Sequence, residues 1–214
     1  MNGLLKSGIL GRVLGGLLAA LLGSVIQGGA LAADAPRIGQ PAPAFSGTDS
    51  HGKTVSLADY RGKLVVLEWT NDGCPFVQHY YKKGNMQALQ KEYTGKGVIW
   101  LSVISSAPGT QGYADGARAD QLTRQRGAAP SAVLLDASGK IGHLYDAKTT
   151  PHMFIVDGGG KLIYAGGIDS LPSTDPDDIA RASPYVKTAL DEALAGKPVS
   201  QPLTPPYGCS VKYE

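Results

Sequence analysis

The side chains best suited to covalent chemistry in this 214-residue chain are its two cysteines, Cys74 and Cys209. Cys74 follows the apolar run Lys63-Leu64-Val65-Val66-Leu67-Glu68-Trp69-Thr70 and the polar stretch Asn71-Asp72-Gly73, and precedes Pro75 and a helical pattern. A thiol where a strand gives way to a helix meets unpaired N–H groups and the positive end of the helix dipole, which favour ionisation. The thiolate is the nucleophile, so the position suits attack on a disulfide or a peroxide. The plainer reading is an inert, buried small hydrophobe. Cys209 sits far along the chain in Pro206-Tyr207-Gly208-Cys209-Ser210. An even pair is either a structural staple or a catalytic couple, and separation in sequence does not decide between them.

The elements that must position Cys74 are legible from periodicity. The run 63–70 reads as a central strand covered on both faces, and 97–105 and 132–136 as two more buried strands. Phe45–Leu57 reads as a hairpin turning at Asp49-Ser50-His51-Gly52-Lys53. Pro75 suits a first helical position, and Gly84-Asn85 should restart that helix with Asn85 as its cap. A surface helix is expected over 111–127, a short helix over 141–147, a hairpin from strands 152–157 and 161–168, and an amphipathic helix over 177–196. Strands separated by helices pair in parallel, and the late hairpin adds an antiparallel edge. The fold class is therefore α/β, a mixed central sheet with helices on both faces.

The first 32 residues are expected to stand outside that fold. Lys6 and Arg12 precede the uncharged run Val13–Ile26, and Ala30-Leu31-Ala32 supplies a small-x-small cleavage site, the pattern of a signal peptide cut after Ala32. The competing reading is an uncleaved anchor, the one route to a membrane contact. Export implies a periplasmic setting. Residues 33–44 read as a tether and 197–214 as a Pro-rich, flexible tail. Without Lys6 and Arg12 the 18 acidic residues are matched by as many basic ones. Nucleic acid is thus not an expected partner.

Three stretches together carry a family resemblance. Val65-Val66-Leu67-Glu68-Trp69-Thr70-Asn71-Asp72-Gly73-Cys74-Pro75-Phe76-Val77 resembles the active-site strand, loop and helix start of thioredoxin-like proteins. Thr149-Thr150-Pro151-His152-Met153-Phe154-Ile155-Val156-Asp157, with Gly160 and Lys161-Leu162-Ile163, resembles their Thr-Pro turn and terminal hairpin. Gly39-Gln40-Pro41-Ala42-Pro43-Ala44-Phe45 with Gly52-Lys53-Thr54-Val55-Ser56-Leu57 resembles the opening of the redoxin branch, which includes alkyl-hydroperoxide-reductase and thiol-specific-antioxidant proteins. The resemblance spans residues 37–196 and implies a thioredoxin-like fold with an N-terminal hairpin extension. It implies a cis peptide at Thr150-Pro151 against the cysteine, and a substrate groove shaped by Thr150, Pro151, Trp69, Asn71 and Pro75. Glu68, six residues before Cys74, stands where thioredoxins carry a buried carboxylate. Desolvation would raise its pKa and let it move a proton to or from the thiol; the alternative is a carboxylate that reaches the sheet edge or pairs with a lysine.

The sequence also departs from that pattern. Thioredoxins place a second cysteine three residues after the first, where this chain has Val77. Redoxin peroxidases place a threonine three residues before the cysteine and a proline seven before it; here these are Asn71 and Leu67. Arg124 and Arg126 are available as an arginine partner, but neither is singled out. Cys209 is the candidate to resolve Cys74 by a reversible disulfide. The alternatives are a permanent staple, which would add roughly 4–5 kcal/mol by closing so long a loop, and two free thiols. The resulting expectation is an exported thiol oxidoreductase exchanging disulfides with protein partners, with Cys74, Cys209 and Glu68 as its catalytic set. A peroxiredoxin-like hydroperoxide reductase is the nearest alternative; a non-catalytic binding module or a copper chaperone is another, and His152 reads as a surface or packing histidine or an aid to the thiolate. No cofactor or metal is expected, because one cysteine in the active loop leaves a copper site incomplete.

Overall fold

The computed structural model of the protein describes residues 35–213. The expected signal segment lies outside the described residues. Among the described residues no helix is long and apolar enough to cross a membrane.

The N-terminal hairpin forms from β1 (Ser46–Asp49) and β2 (Thr54–Ser56), closed by a 3-10 turn over Leu57–Tyr60. Ser56 and Asp59 make a reciprocal capping box at that turn. The central strand β3 (Val65–Trp69) leads through the polar loop to α1 (Pro75–Lys82), then α2 (Asn85–Gly95), β4 (Ile99–Ile104), α3 (Gly116–Arg126), β5 (Ala132–Leu135) and α4 (Lys140–Leu144). There follow β6 (Thr149–Thr150), β7 (His152–Val156), β8 (Leu162–Gly166), a second 3-10 turn over Pro176–Arg181, α5 (Tyr185–Leu194) and β9 (Cys209–Ser210).

Seven strands make one mixed sheet in the order β2-β1-β5-β4-β3-β7-β8. β3, β4 and β5 run parallel, as strands joined through helices must, and β7–β8 is the antiparallel hairpin edge. The hairpin β1–β2 extends the sheet beyond β5. Every residue of β3 is buried, which is why it reads as one apolar run. Strand alternation divides its side chains. Val65, Leu67 and Trp69 enter one core with Leu101, Leu134, Tyr145 and Phe154. Val66 enters the other with Trp100, Met153, Tyr164 and residues of α1, α2 and α5, and Cys74 lies in that same core. Glu68 shares the face of Val66 by the two-residue period.

Four details differ from the sequence expectations, each with a local cause. The final helix is broken, because Pro184 disfavours helical backbone before it; a 3-10 turn precedes and α5 follows. Gly84, not Asn85, caps α2, since its left-handed backbone (φ 80°) suits glycine best. The expected tether pairs with the sheet: Gly39 and Ala42 N–H donate to Leu162 and Gly160 carbonyls, and Gln40 accepts from Leu162. The C-terminal tail is likewise tied down. Ala165 N–H donates to Pro202, Thr204 N–H to Ala165, Val211 N–H to Lys148, and Ala107 N–H to Lys212. Its backbone polar groups thus find partners on the sheet edge, and it is no free arm.

Candidate active site

Cys74 is the N-cap residue of α1, with extended backbone (φ −80°, ψ 122°), and Pro75 takes the first helical position. The loop before it is held by Asn71. Its Oδ1 accepts from Gly73 N–H at 2.8 Å and its Nδ2 donates to the Gln111 carbonyl at 3.0 Å. Cys74 N–H closes the turn onto the Asn71 carbonyl at 3.1 Å. A neighbouring salt bridge, Arg118 to Asp72 at 3.0 Å, ties the same loop to α3.

The register of β3 against β7 pairs Trp69 with His152. The residues just before His152 therefore lie beyond the end of β3, beside Cys74. The Thr150–Pro151 peptide is cis, as the family resemblance implied. The Cys74 Sγ donates to the Thr150 carbonyl at 3.1 Å. Thr150 in turn pairs with Cys209, and Thr149 with Ser210, in a two-stranded antiparallel ladder. That ladder brings the Cys74 and Cys209 sulfurs to 2.7 Å. Gly208 makes the approach feasible: its φ is 133°, and a Cβ there would collide with the Thr150 carbonyl.

The two thiols differ in their environments. Burial opposes ionisation of Cys74, but the contact with Cys209 and the polar groups of Thr150, Cys209 and Val77 around its sulfur outweigh it, so its pKa is lowered. The Thr150 hydroxyl itself has no hydrogen-bond partner, and the Val77 N–H donates to the Cys74 carbonyl at 3.0 Å. Cys209 is driven the other way, first by burial and then by the hydrogen bond and negative charge of Cys74. The two shifts run in opposite directions, so Cys74 gives up its proton more readily than Cys209.

The other expected site residues divide. Thr150 and Pro151 are buried beside the cysteines, Asn71 is buried in the loop, and Pro75 is exposed at the start of α1. Trp69 does not line a groove. It is fully buried on the opposite face of the sheet, against Tyr145 and Phe154, with its indole N–H on Ser105; alternation along β3 turns it away from Cys74. Glu68 is fully buried and accepts from Tyr81, Gln90, Trp100 and Ser102. Charge-assisted hydrogen bonds are worth roughly 1.5–3 kcal/mol each, yet desolvation outweighs all four and its pKa is raised. Arg126 lies over the Tyr81 ring. His152, next to Pro151, is buried, accepts from Lys148 N–H through Nδ1, and has its pKa pushed down to about 4 by burial. Among the described residues no three His, Cys, Asp or Glu side chains gather as metal ligands.

Sequence reasoning missed one cluster. Tyr80 and Tyr207 both donate to the buried carboxylate of Asp169, and their hydroxyls lie 2.8 Å apart. Tyr207, two residues before Cys209, was the only available signal, and nothing in its spacing points to Asp169.

A mixed sheet with a thiolate-favouring cysteine at its strand–helix junction, set against a cis-proline, defines a thioredoxin-like thiol oxidoreductase. Residues 38–165, more than half of the chain, match the AhpC/TSA family, and the chain belongs to that family. No curated protein matches it in sequence. Among solved structures, an uncharacterized conserved protein from Geobacillus kaustophilus aligns with TM-score 0.70 and 26% identity, over 83% of this chain and 93% of that one. A hypothetical protein from Sinorhizobium meliloti aligns with TM-score 0.70 and 22% identity, over 85% and 97%. A thiol:disulfide interchange protein from Bacteroides sp. aligns with TM-score 0.49 and 20% identity, over 68% and 88%.

Proposed function

We propose that the protein is an exported thiol–disulfide oxidoreductase in which Cys74 is the nucleophile and Cys209 the resolving thiol. The observation that carries this reading is the 2.7 Å approach of the two sulfurs, held by the Thr150–Cys209 ladder. In the reducing direction the Cys74 thiolate attacks one sulfur of a partner disulfide, forming a mixed disulfide and releasing a partner thiolate. Cys209 gives up its proton to that leaving thiolate and attacks the Cys74 sulfur. The Cys74–Cys209 disulfide forms, the second partner thiolate leaves, and two electrons have passed to the partner. An external dithiol reverses the sequence and restores both thiols.

Thr150 and Pro151 form the floor of the site, and Pro75 its rim. Asn71 supports disulfide exchange over peroxide reduction, because both ends of its carboxamide are committed to loop backbone. Glu68 is assigned to holding α1 and α2 against the sheet through Tyr81 and Gln90, since its oxygens are filled by four donors, none of them Cys74. Export rests on the Lys6/Arg12, apolar-run and Ala30-Leu31-Ala32 pattern.

The test is a Cys209→Ser variant expressed with its native N-terminus. It should accumulate periplasmic mixed disulfides through Cys74, resolved by reducing agent. Absence of such adducts, with full function retained by Cys74→Ser, would sink the reading. Rapid oxidation of the reduced protein by hydrogen peroxide, far above small-thiol rates, would replace it with peroxide reduction.

A further inference from the structure

In the closed arrangement Cys74 has no exposed surface. Tyr207 and Cys209 of the tail pack on the core cluster that contains it. A protein partner therefore reaches Cys74 only when the tail lifts. The ladder that holds Cys209 in place is two residues long on each side, and downstream of it Val211 and Lys212 are bonded to Lys148 and Ala107.

Upstream of Cys209 the fastening is a side-chain clamp. Asp169 is 4% exposed and Tyr80, on α1, is 3% exposed. Tyr80 donates to one oxygen of Asp169 and Tyr207 to the other, which also accepts from Leu171 N–H at 2.9 Å. The Tyr207 ring meets Phe76 edge-on, with centroids 6.0 Å apart. Tyr207 thus ties the segment carrying Cys209 to the helix that begins at Cys74. Lifting the tail takes a hydroxyl donor from a buried carboxylate, and such an acceptor is costly to leave unmet.

We infer that Asp169, clamped between Tyr80 and Tyr207, is the latch that holds the tail closed, and that the Tyr207 hydroxyl sets how often Cys209 stands at Cys74. Tyr207 is a positioning residue, because it touches neither sulfur. The inference rests on the Cys74–Cys209 pairing of the proposed function. A tight latch speeds resolution and hides the nucleophile; a loose one exposes the nucleophile and slows resolution.

The test uses the full-length chain. Tyr207→Phe keeps the ring against Phe76 and removes only the hydroxyl. In a Cys209→Ser background, alkylation of Cys74 by iodoacetamide should accelerate on the order of tenfold or more, the loss of one charge-assisted hydrogen bond. In the chain with both cysteines, the equilibrium constant for the Cys74–Cys209 disulfide against glutathione should fall by a similar factor. Tyr93→Phe is the control: it deletes a hydroxyl bonded to a carboxylate, Asp191, and to the Lys187 carbonyl, with no partner in the Cys209 segment. It should change neither quantity. Unchanged alkylation in Tyr207→Phe, or equal acceleration in Tyr93→Phe, overturns the latch. If Tyr207→Phe exposes Cys74 but no Cys74–Cys209 disulfide ever forms, the latch stands and the resolving role of Cys209 falls.

Discussion

Thr150 and Cys209 face each other across an antiparallel ladder, and this pairing brings together two sulfurs that lie 135 positions apart in the chain. The residue that precedes the cis-proline is thus occupied by the chain's own cysteine segment. The Thr150 carbonyl also accepts from the Cys74 thiol at 3.1 Å. A single residue therefore holds Cys74 through its carbonyl and docks Cys209 through its backbone ladder.

Gly208 is the weak point of that docking. Any side chain there meets the Thr150 carbonyl, and the backbone lies at a φ of 133° that other residues avoid. Strain of this kind costs about 1–3 kcal/mol. Gly208→Ala should slow formation of the Cys74–Cys209 disulfide about tenfold or more while leaving the fold intact. Timed quenching of the oxidation, with thiol counting, measures it against unchanged far-ultraviolet circular dichroism.

Cys209 also stands in hydrogen-bond contact with Cys74. Burial disfavours the thiolate, and the hydrogen bond from Cys209 leads the groups that reverse this. Cys209→Ala should raise the Cys74 pKa above its value in the unmodified chain. The ultraviolet absorbance of the thiolate, followed against pH, reports the shift. A titration that stays in place would show that the helix start and Thr150 suffice.

Glu68 links stability to pH with an unusual sign. Its folded pKa is raised by desolvation. Between the ordinary carboxylate value and that raised value the native state binds more protons than the unfolded one, so stability falls as pH rises through the window. Glu68→Gln should remove this slope. It should also destabilise the protein by about 2–4 kcal/mol, because an amide nitrogen would face hydrogen-bond donors. Urea midpoints across the acid range read both effects.

His152 acts in the opposite sense. Burial holds its folded pKa near 4, below the ordinary 6.5. The unfolded state takes up the proton first, so stability is lost as pH falls from about 6.5 toward 4, by up to roughly 3 kcal/mol. His152→Asn keeps an acceptor for Lys148 N–H and should flatten that dependence. The same urea series, run on this variant, checks it.

Most of the framework was legible because it depends on local pattern. The apolar run 63–70, the Pro75 helix start and the Gly158-Gly159-Gly160 turn each announce an element within a few residues. The strand–helix placement of Cys74 was legible for the same reason. Trp69 was assigned to the groove because proximity to Cys74 in sequence does not say which face of β3 a side chain takes. Pro184 was legible too, yet the amphipathic spacing of 177–196 masked the break it makes.

The sequence by itself determined the class of fold, the strand–helix placement of Cys74 and the absence of a second cysteine beside it. Those follow from residue type and short-range period. Tertiary structure alone decided that the tail is strapped to the sheet, that Cys209 meets Cys74, and that Asp169 joins Tyr80 to Tyr207. Each of these joins residues distant in the chain, and no local propensity encodes such a meeting. It arises from the register of β3 on β7, which carries Thr150 to the helix start, and from a backbone edge that only a glycine-led segment can approach.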